Sequence, residues 1–482
     1  MAASMTSGSA ANDLAALFVS GRFGLGARPG EWRTGARHPR DYVLGQCDGT
    51  AAALFPPAEL RSVVDNLDAL AAARVASRAA RKLAGPAGRS KAPAADMAGP
   101  APSAADAEVI AAPQKIALGA LMGEIDYRYT VAIGSVRPFV ERLVLFWSNH
   151  FAVSARRSAE VRTGVGGYER EAIRPHVLGR FRDMVGAVAN HPTMLGYLDN
   201  DLSIGPNSPY GIARKRGLNE NFARELMELH TLGVNGGYTQ ADVTSLAKIL
   251  TGWRSKSSVG NGAGAFRFDA DRHEPGAFTV LGRSYREGGV EQGEAVLDDL
   301  ARHPATARHI AAKLVRHFVG DSAPPTIAPV VAAAFMKTEG DLAETARALV
   351  RHPDAWTAPP AKILPPYDMI VAMSRALGEA LPVGKMVLHC RKLGQPIWEP
   401  RAPAGFDDGD STWASPEGIS TRLDLAVSYA GASDKNAGDI ADLANELYGP
   451  ALSAQTLTTL RRAESRSQAL ALLLMSPELM KR

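Results

Sequence analysis

Residues 219–253 read NENFARELMELHTLGVNGGYTQADVTSLAKILTGW, and this stretch decides the fold class. Phe222, Leu226 and Leu229 recur at helical spacing, while Asn221, Arg224, Glu225 and Glu228 share another face of the same helix. His230 falls near the boundary, closest to Ala223 and Met227. Gly233 is a natural C-terminal glycine, and Asn235-Gly-Gly-Tyr238 is a turn. Thr239 then caps a second helix, with Asp242 placed to close a capping box. Val243, Leu246, Ala247, Leu250 and Trp253 form its apolar face. Two amphipathic helices joined by a tight turn are the signature of a helical fold.

Working outward, Pro138 suits the first turn of a helix whose apolar stripe is Val136, Phe139, Val140, Leu143 and Trp147, with His150 on its continuation. Residues 13–74 are also patterned as helices, around a Gly-rich turn at 21–30. Residues 75–113 shift to Ala, Pro, Gly, Ser and Arg and read as a surface insertion, partly helical and partly disordered. Phe266 to Leu281 alternates as a small hairpin. Helices resume from Glu294 to about Gly378, and 394–416, GQPIWEPRAPAGFDDGDSTWASP, is an aromatic loop too long to be a mere connector. The expectation is a mainly α, multi-helix globular fold with one small β-hairpin and long loops. Residues 1–12 are expected to be disordered, 13–430 to form one helical domain, and 431–482 to pack on it as C-terminal helices.

With 482 residues the chain is long enough to bury a large core. Its 54 basic and 50 acidic residues leave a net charge of only +4, too little to imply nucleic acid as a partner. Cys47 and Cys390 alone exclude a disulfide framework, a four-Cys zinc site and a CxxC pair. The N-terminal residues lack a basic start and a sustained apolar run, so the expected location is cytoplasmic, and no window suits a membrane span.

Glu225 and Glu228, one turn apart, invite a metal or an acid–base pair if a histidine from another helix joins them. The plainer alternative is a salt-bridge ladder, Glu220 with Arg224 and Arg224 with Glu228. The candidate metal set is His150, Glu225, Glu228 and His230, with a divalent cation as the cofactor it would hold. The candidate catalytic set is Glu225, Glu228 and His273. Candidate binding residues are Asn149, Asp199, Arg224, Trp253 and Trp398. Each has a structural alternative: His150 as a helix-end histidine, His273 within a hydrogen-bonded turn, Asp199 as an ordinary turn residue. Arg156, Arg157, Arg162, Arg170, Arg174, Arg180 and Arg182 suggest an anion surface, but Glu160, Glu169, Glu171 and Asp183 are interleaved among them, which favours a mixed-charge face.

Standard signatures are missing. There is no Glu-x-x-His di-iron helix, no His-Glu-x-x-His, no Gly-x-Ser-x-Gly elbow and no Walker loop. Glu274 stands where a calcium loop needs its glycine, and the glycines at 24–30 are wrongly spaced for a dinucleotide.

The 219–253 stretch resembles the bacterial domain-of-unknown-function family 1800. It is supported by RLVLFWSNHF at 142–151, HPTMLGYLDN at 191–200, RHEPGAFTVLG at 272–282, KLVRHFVGDSAPP at 313–325 and GQPIWEPRAPAGF at 394–406. Where that family commonly has a lysine after the His-Asp/Glu-Pro-Gly turn, this chain has Phe278. The resemblance carries no assigned reaction. It implies, by association, export and a partner from family 1501, which is similar to sulfatases and phosphatases. It also raises the interest of Glu225, Glu228, His230, His150 and His273, all of which lie inside the shared stretches.

Three readings follow. One is an enzyme, metal-dependent through a carboxylate/histidine cleft, acting on a polymer or a small anion. The second is a non-catalytic helical scaffold or accessory to the sulfatase/phosphatase-like protein. The third is a carbohydrate-binding module using Trp398 and Trp413.

Overall fold

The computed structural model describes residues 17–35, 37–49, 60–83, 104–255, 264–432 and 438–482. The expected disorder of 1–12 and the middle of the 75–113 insertion lie outside them. The flanks of that insertion are helical: one helix, Val63–Leu83, runs past its start, and another, Ala104–Gly134, runs through Pro113 beyond its end. These two helices pack together, and both touch Ala159–Tyr168, whose Gly164, Gly166 and Gly167 let the neighbours approach closely.

The fold is mainly α, and one apolar cluster runs from Phe18 to Met480. Helix Pro138–His150 lies inside it. Phe139, Val140, Leu143 and Trp147 are buried as their spacing predicts, but Val136 precedes the helix and is exposed. Residues 290–351 form a run of helices in which sequence neighbours pack together, Pro304–Phe318 against Ile327–Lys337 and that helix against Leu342–Arg351. The C-terminal helices Ile440–Tyr448, Ala454–Arg461 and Arg466–Leu474 join the same cluster, and Met480 to Arg482 end against the core beside Lys362 to Leu364.

The β content differs from expectation: among the described residues there are two separate two-stranded antiparallel ribbons. Strand β1, Trp253–Ser255, pairs with β2, Phe266–Phe268, and β3, Phe278–Val280, pairs with β4, Arg283–Tyr285. Trp253 therefore ends the apolar face of the preceding helix as the first residue of a strand. Its burial, not its secondary structure, is what the helical spacing detected.

The first helix of the 219–253 stretch is also more particular than its periodicity. Asn221–Glu225 is α-helical, and Leu226–His230 then widens into a π-turn. The shift leaves carbonyls that no helical N–H takes. Gly233, at φ +86, closes the segment where a Cβ would meet the His309 ring. The Thr239–Asp242 capping box forms as read: Asp242 N donates to the threonine hydroxyl, and Thr239 N to the aspartate carboxylate.

Candidate functional site

The polar residues of the signature helices mostly serve the backbone. The His150 Nε2–H donates to the His230 carbonyl at 3.1 Å, and the His309 Nε2–H to the Leu229 carbonyl at 3.0 Å, so two imidazoles finish the π-turn. The His150 and His230 rings lie 6.2 Å apart in a pocket of aromatic carbon. Burial keeps both neutral, with His230 pushed down to about 3. Neither His230 nitrogen has a partner among the described residues.

Glu225 and Glu228 sit together, half-buried. Desolvation, and then the charge of Glu228, raises the pKa of Glu225. Tyr238 donates to Glu228 at 3.3 Å, while Arg224 pairs with Glu220 at 3.2 Å and with Gln240, not with Glu228. Of the proposed metal ligands, then, the structure brings the histidines to each other and the glutamates to each other. Among the described residues no group of three or more His, Cys, Asp or Glu is placed to hold a metal ion.

The other sequence candidates are placed as follows. His273 Nδ1 pairs with the Thr251 carbonyl at 2.9 Å, and the neighbouring Glu274 accepts from Asn207 N and Nδ2, tying two loops together. Phe278 carries the Lys248 ammonium over its ring at 5.4 Å. Trp253 is buried. Asp199 takes a left-handed conformation, φ 57, and holds Arg157. Asn149 and Trp398 alone lie somewhere different in kind.

That place is a narrow cleft with a cavity volume of about 80 Å³, opening to solvent between the end of Pro138–His150 and the 394–416 loop. Asn149 anchors the loop, donating to the Phe406 carbonyl at 2.9 Å and accepting from Phe406 N at 2.8 Å. Gly405, at φ +82, passes so close to Asn149 that any Cβ would collide with it. Trp398 is held in the left-handed region, φ 50, by its own carbonyl, which accepts from Ala155 N, and by its indole N–H, which donates to Glu169 at 3.1 Å. Non-glycine residues rarely adopt this conformation, so the surroundings hold Trp398 in the cleft wall.

Beneath the cleft lies a network of buried charge. Asp368 accepts from Arg142 and Arg482, each at 3.0 Å, and Asp408 accepts from Lys362 at 2.7 Å with Arg482 at 3.5 Å. His317 Nδ1 lies 2.7 Å from the Asp408 carboxylate. A carboxylate only accepts, so Nδ1 carries the proton and Nε2 the lone pair. Burial holds His317 below its ordinary pKa despite that carboxylate, and His317 and Lys362 hold Asp408 well below the carboxylate range. His317 Nε2 has no partner among the described residues, and neither has the Tyr367 hydroxyl or the Trp413 indole nitrogen, although all three atoms are buried. Tyr367 stays protonated because burial drives its pKa far up. Ser148 lines the same wall.

None of His317, Asp408 or Tyr367 stood out in the sequence, because they come from three distant segments. The available signals were His317 inside 313–325 and the Asp407-Asp408 pair just after 394–406.

Against protein-family models, residues 19–481 match the family described as "Protein of unknown function (DUF1800)". The chain belongs to the DUF1800 family. No curated protein and no solved structure matches it. The DUF1800 match spans every segment that builds the cleft, from Arg128 to Trp413. Among the described residues no helix is long and apolar enough to cross a membrane.

Proposed function

We propose that this DUF1800 protein is an enzyme whose proton acceptor is His317, oriented by Asp408, in the cleft under the 394–416 loop. The observation that carries the reading is the His317–Asp408 contact with Nε2 left unpartnered. A neutral imidazole whose Nδ1–H is fixed by a carboxylate presents a basic nitrogen in one tautomer, the arrangement general-base catalysis uses. Water or the Ser148 hydroxyl is the proton source, and the Tyr367 O–H is a donor for oxygen that gains charge as the bond to it breaks. The reaction class is hydrolysis or acyl transfer. Trp398 and Asn149 position the walls, and Glu225, Glu228 and His273 have no part in this chemistry.

A panel of 4-nitrophenyl esters, glycosides, phosphates and sulfates tests it. Turnover of at least one probe is expected, reduced about 10²–10⁴-fold by His317→Gln. The rate of a base held below its ordinary pKa rises with pH through a value under 6.5 and is flat at neutrality. Turnover that survives in His317→Gln, or no turnover of any probe, contradicts the reading.

A second reading is favoured by the way His150, His309 and His273 serve backbone carbonyls. A chain whose signature polar residues are structural suits a helical accessory of a sulfatase/phosphatase-like partner of family 1501. Co-purification of the two chains, unaffected by His317→Gln, would support it.

A further inference from the structure

We infer that the ligand of this cleft carries at least two oxyanion groups, whether carboxylate, sulfate or phosphate, one held by Arg128 inside and the next by Arg156 and Arg401 at the mouth. The inference rests on the cleft being the functional site and deepens that reading by naming the charge of what enters it.

Arg128 comes from the middle of helix Ala104–Gly134 and lines the cavity. Its guanidinium stands over the Tyr367 ring at 4.8 Å and the Trp398 ring at 5.0 Å, which fixes its plane. Its Nε lies 3.5 Å from the Glu169 carboxylate, a carboxylate also shared with Trp398 and with Arg174 at 4.0 Å. That Nε, though buried, has no hydrogen-bond partner among the described residues, and the one ion pair found there for Arg128 runs through it and not through the terminal nitrogens. A planar fork with fixed orientation, its terminal donors outside that ion pair, matches the two oxygens of an oxyanion. Beside it, the buried Tyr367 hydroxyl also lacks an acceptor. The acids that line the cleft do not oppose an anion. Arg142, Arg482 and Lys362 neutralise Asp368 and Asp408, and Arg316 lies 3.6 Å from Asp407.

The cleft does not stop at Arg128. It shares Pro400 with an open depression lined by Ser154, Arg156, Arg157, Tyr197 and Arg401, and shares Ile397 with another that includes Arg156 and Arg162. Arg157 is held by Asp199, and Arg391 by Glu399. Arg156, Arg162 and Arg401 have no acidic partner among the described residues, in contrast to Arg170, Arg174, Arg180 and Arg182, which are all paired. The unpaired arginines of the 156–182 run are thus the ones beside the cleft mouth. Arg128 covers the faces of Tyr367 and Trp398, so these two rings are engaged by a cation and not open to a stacked base.

Calorimetric titration of the full chain with citrate, pyrophosphate and a disulfated disaccharide, and with acetate and the unsulfated disaccharide as controls, tests this. At least one multivalent anion is expected to bind about tenfold or more tightly than acetate, and the tightest of the three names the source of the charge. Arg128→Gln should weaken it at least about tenfold, and Arg128→Lys should not restore it, since an ammonium lacks the fork. Should the Arg128 variants misfold, the exposed pair Arg156→Ala, Arg401→Ala provides an independent arm, weakening the multivalent anion and flattening its salt dependence while acetate is unchanged. Binding without turnover would leave this inference standing and remove the base. The inference is overturned if no multivalent anion outbinds acetate, if the Arg156/Arg401 pair has no effect, or if an oligonucleotide binds more tightly than all three anions.

Discussion

The 219–253 helices and the cleft under the 394–416 loop contain the same residue types, and the difference between them lies in where their unpartnered polar atoms sit: those of His230 and Trp253 are packed inside the helical core, whereas those of the cleft residues border a cavity. In the helices, His150 and His309 cap the carbonyls of a π-turn, Asn200 donates to the Leu250 and Trp253 carbonyls, and Thr239 and Asp242 cap each other. In the cleft, His317 Nε2, the Tyr367 hydroxyl, the Trp413 indole N–H and Arg128 Nε have no hydrogen-bond partner among the described residues. A recurrent polar residue can therefore mark a backbone that needs terminating as readily as a ligand that needs holding.

The largest effect is expected beneath the cleft. Asp368→Ala leaves Arg142 and Arg482 buried without their shared carboxylate and should cost about 3–5 kcal/mol, read from urea unfolding. Next comes the helical region: Asn200→Ala abandons two buried carbonyls and should cost about 1–3 kcal/mol, while anion affinity in the cleft is unchanged. If Asn200→Ala abolished ligand binding at unchanged stability, the division between the two regions would fail.

Smaller still is Glu225→Gln. The folded protein raises the pKa of Glu225, so folding favours its protonated form, and the wild-type carboxylate is a mild liability above the carboxylate range that vanishes as pH falls through it. The variant should match or slightly exceed the wild-type melting temperature at pH 7 and converge with it near pH 4, near the ordinary glutamate pKa. A clear loss of stability or turnover at pH 7 would return Glu225 to the site.

The helical architecture was legible because burial follows period. Phe139, Leu143, Trp147, Val243, Leu246 and Leu250 are buried where their spacing puts them. The π-turn at Leu226–His230 was not legible, since its widening depends on His150 and His309 arriving from other helices to take its carbonyls. The pairing of the strands was not legible: Phe266 to Leu281 reads as one hairpin, but Phe266–Phe268 pairs back with Trp253–Ser255 and Phe278–Val280 pairs forward with Arg283–Tyr285, partners that lie outside that stretch. Asn149 and Trp398 were legible as candidates, but their neighbours were not. Arg128, His317, Tyr367 and Asp408 meet only because four separate segments converge, a relation that no local pattern records.

The most direct test is a crystal structure of the chain soaked with citrate, pyrophosphate or the disulfated disaccharide. An oxyanion is expected on the Arg128 guanidinium, with ligand within hydrogen-bonding distance of Tyr367 and His317. Ligand bound at Glu225 and Glu228, with the cleft empty, would contradict that placement.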